Sequence, residues 1–200
     1  MITKTPRPLW AGFVSYQTNK GNQTMTATAT KPADQILLCA TPYNIDAPFF
    51  YFSTLEEYES RVAKLTDRYG QPVEEFMIDF IDGSRLDSEL AQATKLDQCN
   101  FVKFLEAVDE WENHEKTIAI IAMGEDSSLS LDDDPHLRDV SIYDAQDLTD
   151  LAEQFVDDGL FGEIPDRLIH YIDYEAIGRD LRFDYHETTV AGENFFYRMD

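Results

Sequence analysis

The side chains in this sequence that could do chemistry are, above all, carboxylates in its C-terminal part. Between Leu151 and Asp180 there are eight Asp and Glu residues, with only Arg167 and Arg179 to offset them. No Lys or Arg occurs between Val140 and Asp166. A solvated protein surface normally mixes charges of both signs. The unmixed acid therefore indicates a surface that binds a cationic partner.

Patterns typical of an active site or a metal site are missing from the sequence. The four histidines do not form an H-E-x-x-H motif, and there is no Walker A, GxGxxG or G-x-S-x-G sequence. Cys39 and Cys99 are too few for a zinc site or a disulfide framework, so we interpret them as reduced and mostly buried. Asp132–Asp134 could attract a hard cation, but the alternation of a calcium loop is absent and helix or loop capping is favoured. The sequence predicts no enzyme, no cofactor and no metal.

Charge sets further limits on the partner. The 200 residues carry a net charge of −23, and residues 125–200 contain 21 acids against five bases. A field of this sign repels nucleic acid and anionic membranes and attracts basic surfaces. No run approaches the roughly 18 apolar residues of a membrane span, and the first residues lack the apolar core of a secretory signal. We therefore predict a cytoplasmic protein that binds neither nucleic acid nor membrane directly.

These acids must be positioned by folded elements, because 12% of the residues are aromatic and disordered acidic chains are poor in aromatics. The N-terminal half predicts a small α+β unit. Its helix follows Ser53 or Thr54 as N-cap, carries its apolar face on Leu55, Tyr58, Val62 and Leu65, and ends before Gly70. The predicted strands of this unit are Ile36–Ala40, Phe49–Phe52 and Val73–Asp82, the last ending at an Asp-Gly turn.

The rest of the chain alternates helical and extended patterns. Spacings of three and four predict a helix from Leu86 to about His114, and the apolar run Lys116–Met123 predicts a buried strand after it. A loop then leads to a helix over Asp144–Asp158, which Gly159 ends. The chain closes with three further predictions: a short helix opened by Pro165, a helix capped by Asp173 and running to about Phe183, and a terminal hairpin around Gly192–Asn194.

The predicted fold class is α+β, an elongated chain of small α/β and helical domains with a highly acidic surface. Residues 1–33 lack a sustained period and predict a flexible leader, within which Met25 could be the functional start and Leu9–Tyr16 an edge strand. The predicted domains are residues 34–95, an N-terminal α+β domain; 96–142, a central domain; and 143–200, a C-terminal α+β domain with acidic helices and the terminal hairpin.

Several long segments resemble the ArdA antirestriction family. "LAEQFVDDGLFGEIPDRLIHYIDYEAIGRDLRFDYHETTVAGENFFYR" is similar to the C-terminal signature of that family, and "PYNIDAPFFYFSTLEEYES" with "YGQPVEEFMIDFIDG" is similar to its N-terminal domain. The resemblance runs from about Ile36 to Arg198. It implies a three-domain α+β protein that mimics DNA and occupies the DNA-binding groove of type I restriction-modification enzymes, with carboxylates standing in for phosphates.

The resemblance also suggests which residues contact partners. The family's antirestriction motif corresponds to Leu151–Gly162, near which the family's dimer contact lies. We expect homodimerisation through apolar residues around Gly159 and Gly162, namely Phe155, Leu160, Phe161 and Ile164, although these residues could equally cap the C-terminal domain's own core. The expected DNA-mimic acids are Asp144, Asp147, Asp150, Glu153, Asp157, Asp158, Glu163, Asp166, Asp173, Glu175 and Asp180.

Three alternatives to DNA mimicry stay open on the sequence. High acid content is also typical of halophilic proteins. An acidic regulator could bind another basic DNA-binding protein or a nuclease of a different defence system. A metal-dependent enzyme could use the Asp132–Asp134 cluster. Thermal melts in dilute salt would test the halophilic alternative, because a halophilic protein should lose stability there. The identity of the bound protein would test the second alternative, and calorimetry with divalent cations would test the metal-dependent enzyme.

Overall fold

A computed structural model describes residues 35–133 and 140–199. The predicted leader 1–33, with Leu9–Tyr16 and Met25, lies outside the described residues. So does Asp134, the last member of the Asp132–Asp134 cluster. Within the described ranges the chain contains both helices and small antiparallel sheets, so the predicted α+β class is confirmed.

The first sheet has three antiparallel strands in the order β2-β1-β3. Successive side chains alternate between its two faces, and the inner face carries Leu38, Phe52 and Phe76, each at most 2% exposed. The predicted strands are confirmed with small shifts in their ends. Their bounds are Leu37–Pro42 for β1, Phe50–Phe52 for β2 and Phe76–Asp82 for β3.

Helix α1 covers Leu55–Val62 and packs on the inner face through Tyr58. Its predicted N-cap is confirmed, because the Thr54 side chain accepts a hydrogen bond of 3.2 Å from the Glu57 backbone N–H. The helix ends eight residues before Gly70, so Leu65 lies outside it but still packs against the core. Tyr58 meets the Phe101 ring at a centroid distance of 4.6 Å, which ties α1 to the next helices.

The helical stretch predicted from Leu86 to His114 is two helices, α2 over Arg85–Ala93 and α3 over Phe101–Glu110. The chain turns between them at Lys95, whose φ of 51° lies in the left-handed region. Asn100 holds this turn by donating a hydrogen bond to the Thr94 carbonyl. Apolar spacing alone does not reveal the break, because both helices present apolar faces to one core.

Helix α4, over Asn113–Glu125, corrects the prediction of a strand at Lys116–Met123. Seven of its residues are buried, so the run is apolar on nearly every side and its period cannot distinguish a helix from a strand. The deciding signal is the capping box at its start, where the Glu112 N–H donates to the Glu115 carboxylate at 2.6 Å. The helix lies against both main cores, which share its residue Ile120.

A buried ion pair joins α4 to α2. Lys116 Nζ lies 2.8 Å from Asp87 Oδ1 and also donates to the Val108 carbonyl at 3.0 Å. The Ser84 hydroxyl donates to the other oxygen of Asp87. Every charged atom of the pair thus has a partner, as burial of charge requires.

The second sheet is antiparallel in the order β4-β6-β5. Its strand β4, Val140–Asp144, was not predicted, and it contains Asp144, at which a helix was wrongly expected to begin. Strands β5, His186–Val190, and β6, Glu193–Met199, confirm the terminal hairpin. Its turn is Ala191-Gly192, with φ of 54° and 92°, one residue earlier than expected.

Three helices complete the C-terminal region and confirm that a helix forms in each predicted segment, but the first begins at Leu148, four residues later than predicted, because Asp147 is its N-cap. They are α5 over Leu148–Asp157, α6 over Asp166–Ile169 and α7 over Tyr174–Leu181. The domain divisions at residues 95 and 142 stay a prediction. Of the two cysteines, which are free thiols, Cys39 is buried as expected and Cys99 is exposed.

Candidate partner-binding surface

Helix α5 directs the central acids of the C-terminal region toward solvent. The Asp147 side chain caps it by accepting from the backbone N–H groups of Thr149 and Asp150, at 2.8 and 2.9 Å. One side of the helix is apolar, and on it Leu151, Ala152 and Phe155 are buried. Glu153 and Asp157 fall on the other side and are exposed, because residues four apart share a helix face.

The chain then passes through two glycines that allow it to turn sharply. Gly159 and Gly162 have φ of 75° and 86°, which favour glycine over other residues. The Leu160 N–H donates to the Phe155 carbonyl, which closes the end of α5 as a Schellman-type cap. Asp173 later caps α7 by accepting from the Ala176 N–H at 2.9 Å. Acids in this segment are therefore placed by defined turns and caps.

The eleven predicted DNA-mimic acids lie at the protein surface. Ten are exposed and Asp150 is half-buried. Among residues 35–133 and 140–199, ion pairs form at other acids, and none includes one of these eleven carboxylates. Their charge is therefore not neutralised by the described part of the chain. The ten exposed acids are Asp144, Asp147, Glu153, Asp157, Asp158, Glu163, Asp166, Asp173, Glu175 and Asp180.

The structure separates these acids by their local roles. Asp147 and Asp173 cap helices, and Asp150 accepts a hydrogen bond from the Gln146 N–H at 2.9 Å. The side chains of the other eight accept no hydrogen bond from any described residue. Asp166 and Glu175 lie in first helical turns, where the helix dipole favours a negative charge. The acids without a local contact have the stronger case for an external partner.

The predicted dimer residues do not share one environment. Phe155 is 2% exposed and lies in this chain's own core, with ring centroids 5.0 Å from Tyr143 and 5.4 Å from Tyr185. It is buried because the apolar stripe of α5 packs on the second sheet. Leu160 and Phe161 are more than half exposed, and Ile164 is half-buried. Of the four predicted dimer residues, only Leu160, Phe161 and Ile164 are therefore accessible to a second chain, because Phe155 is buried in the core.

Two tyrosines link the second sheet to its surroundings. Tyr197 on β6 donates a hydrogen bond of 2.6 Å to Glu125 at the end of α4. Burial, followed by this contact with Glu125, raises the pKa of Tyr197 to about 12. Burial and then the neighbouring Tyr143 raise the pKa of Tyr185. Both side chains are buried, Tyr197 in the core against α4 and Tyr185 in the core beneath α5.

The residues of the alternative metal site have other partners. Asp132 lies 3.2 Å from Lys103 Nζ, and Asp133 accepts from the Ser130 N–H at 2.8 Å. In the part of the chain that the structure describes, no group of three His, Cys, Asp or Glu side chains is arranged to hold a metal ion. Asp134 lies outside that part.

A second surface was missed by sequence reasoning. It is the side of the first sheet that faces away from the core, and we call it the outer face: Phe49, Tyr51, Met77, Asp79 and Ile81. All five residues are exposed. The signal was present in the alternation of "FMIDFID", whose outward positions are Met77, Asp79 and Ile81.

Comparison with known proteins gives one family. The family model described as "Antirestriction protein (ArdA)" matches residues 44–194, which include strands β2 to β5, all seven helices of the described residues and all eleven acids. No curated protein matches the chain. Within the described ranges, no helix has the length and apolar character needed to cross a membrane.

Proposed function

The chain belongs to the ArdA family of antirestriction proteins, and we propose that it inhibits type I restriction-modification enzymes by occupying their DNA-binding groove as a DNA mimic. The observation that carries this proposal is the set of C-terminal acids. They are exposed, and no cation of the described residues pairs with them. Their charge is therefore available to a basic partner.

The spacing of the acids supports phosphate mimicry. On and just before α5, Asp147, Asp150, Glu153 and Asp157 follow one another at three, three and four residues. A helix rises 1.5 Å per residue, so such neighbours lie about 5–6 Å apart. This distance is comparable with the spacing of charges along a nucleic-acid backbone. A groove whose Lys and Arg side chains neutralise phosphates can therefore pair with the same array.

The proposed mechanism requires binding alone. Like charges one turn apart on a helix cost a few tenths of a kcal/mol per pair. Pairing with the Lys and Arg side chains of a basic groove removes that repulsion. It also releases the counterions around the carboxylates, as protein binding releases the counterions around DNA phosphates. The inhibitor needs no catalytic group, and we place its action in the cytoplasm.

We further propose that the protein is a homodimer, which would extend the acidic surface over two chains. Two bodies of charge −23 associate only where the contact is apolar and poor in acid at its centre. The exposed side chains of Leu160 and Phe161, with the half-buried Ile164, supply apolar area for such a contact, whose centre would lie away from the exposed Glu163.

Replacing Phe161 with Asp tests the dimer. Because Phe161 is 53% exposed, the variant should keep its helical circular dichroism while light scattering shows a monomer. An unchanged dimer would place the interface elsewhere. Unfolding would show that Phe161 supports the fold instead.

Restriction in cells tests the proposed inhibition. Cells with a type I system should restrict unmodified DNA far less when they express this chain. The test variant is the triple substitution Glu153→Gln, Asp157→Asn and Asp158→Asn, which removes three exposed acids and leaves the helix caps in place. Its protection should be weaker. Undiminished restriction in cells that express the folded chain would contradict the proposal.

A further inference from the structure

The outer face of the first sheet is apolar where a solvated sheet face is usually polar. Tyr51, Met77 and Ile81 are 47%, 46% and 48% exposed, and Phe49 is 57% exposed. An antiparallel sheet that covers a core with one side commonly shows polar residues on the other. Contiguous exposed apolar side chains, by contrast, are typical of surfaces that bind a partner.

The strand register places Tyr51 and Met77 on one side of the sheet, and Ile81 follows by alternation along β3 at a register shift. Cys39 of the central strand pairs with Tyr51 on one side and Asp79 on the other, and Thr41 pairs with Met77. The Phe49 and Tyr51 rings also touch, with centroids 5.6 Å apart. Neighbouring strands lie about 4.8 Å apart, so the face is roughly 10 Å across. A patch of this size can accept one or two apolar side chains of a partner.

The charges around the patch indicate which partner fits. Asp79 lies between Met77 and Ile81 along β3, and the exposed Glu74 and Glu75 precede the strand. Lys95 lines the adjoining groove between β3 and α2, and Arg61 and Lys64 line a pocket beside Phe49 at the other edge of the face. No ion pair among the described residues includes Asp79. A second copy would bring the same acids together and be repelled. A basic protein would complement them.

We propose that the outer face is a second docking surface for the restriction-modification enzyme, separate from the C-terminal acids. It receives an apolar patch of the enzyme that contains an arginine, which pairs with Asp79. This inference rests on the proposed function for the identity of the enzyme. Arginine fits because its guanidinium both pairs with carboxylates and stacks on aromatic rings such as Tyr51. Binding hot spots in protein interfaces are likewise enriched in Tyr and Arg and are surrounded by contacts that exclude water.

The two surfaces should contribute to binding in different ways. The C-terminal acids contribute through charge, which salt screens. The outer face contributes mainly through apolar burial, which salt does not screen. Changes to the apolar residues of the outer face should therefore lower affinity by a similar factor at every salt concentration.

The experiment measures the Kd of the full chain for the methyltransferase core of a type I enzyme over a range of salt. In the test variant, Tyr51→Ser is combined with Ile81→Thr, and the Kd should rise at least about tenfold with no change in salt slope. The matched control is Tyr69→Ser, the same substitution at a loop tyrosine that is 70% exposed. Its Kd should stay within about twofold of the original, since an exposed side chain outside an interface contributes little.

A second variant, Asp79→Lys, changes charge without removing apolar area, and it should also weaken binding. Thermal melts accompany each variant to show that it is folded. If the original chain fails to bind the core, the proposed function is wrong. If it binds and both outer-face variants bind equally well, this inference alone is wrong. If the variants turn a dimer into a monomer and keep their affinity for the core, the face joins two copies and the inference is again wrong.

Discussion

The protein uses its carboxylates in opposite ways in two regions. Asp87 in the first core is 7% exposed, lies 2.8 Å from Lys116 and receives a hydrogen bond from Ser84. The acids between residues 144 and 180 are nearly all exposed, and none has a cationic partner in the described ranges. The first carboxylate holds two helices together, whereas the second group leaves its charge unneutralised.

This difference separates structural acids from acids available for binding. A buried carboxylate without a cation would cost several kcal/mol, so the fold must supply Lys116. An exposed carboxylate is solvated by water and costs little by itself. The C-terminal region can therefore accumulate acids without losing its fold.

The largest effect is expected at the buried pair. Lys116→Met should lower the free energy of unfolding by about 3–5 kcal/mol, because it leaves the Asp87 carboxylate buried without its cation. The double variant Lys116→Met with Asp87→Leu should recover most of this loss. Denaturant unfolding measures both. A loss below about 1 kcal/mol in the single variant would mean that water reaches Asp87.

The next effect concerns the contact that holds the acidic helices. A Cβ on Gly178 of α7 would lie 2.8 Å from the Leu148 carbonyl oxygen of α5. Gly178→Ala must push these helices apart and should cost about 1–3 kcal/mol. Gly124→Ala is the matched control, since a Cβ there meets nothing within 4 Å in α4. The control should be neutral or slightly stabilising; equal losses would show that α5 and α7 are not closely packed.

Tyr197 gives a pH-dependent test of a carboxylate used in structure. Tyr197→Phe should cost about 1 kcal/mol at neutral pH, where the phenol donates to Glu125. The folded pKa of about 12 exceeds the ordinary value of 10, so the folded state holds this proton more tightly. The contribution is fully present below about pH 10 and is lost as pH rises toward 12. Unfolding measured along that range should show the two proteins converging, and a constant gap would contradict the assignment.

The smallest effect compares two acids of one helix. Asp147→Ala removes the cap of α5 and should cost about 1 kcal/mol of stability. Asp157→Ala removes an exposed charge without a local contact and should leave stability within about 0.5 kcal/mol. Thermal or denaturant unfolding distinguishes them. Equal losses would show that the division into capping and free acids is wrong.

Much of the fold could be predicted because its signals are local. Thr54 and Asp173 are caps that lie next to the helices they start, and Gly159 ends α5 where the apolar spacing stops. Alternation and a Gly-containing turn were enough to predict the terminal hairpin. The acidic surface followed from composition, because exposed Asp and Glu need no partner within the chain.

The remaining features depend on contacts distant in sequence. Helix α4 resembled a strand because burial on nearly all sides removes the helical period. The partners Asp87 and Lys116 are 29 residues apart, and no local pattern relates them. Phe155 fitted both a core stripe and a dimer contact, and only the packing against Tyr143 and Tyr185 places it in the core.

Competition with DNA tests the central claim most directly. The purified chain and duplex DNA are offered together to the methyltransferase core of a type I enzyme, at salt concentrations from about 50 to 200 mM. The account predicts that the chain displaces the DNA and that its affinity falls steeply with salt, as the affinity of DNA does. Simultaneous binding of chain and DNA, or an affinity that does not change with salt, would contradict DNA mimicry.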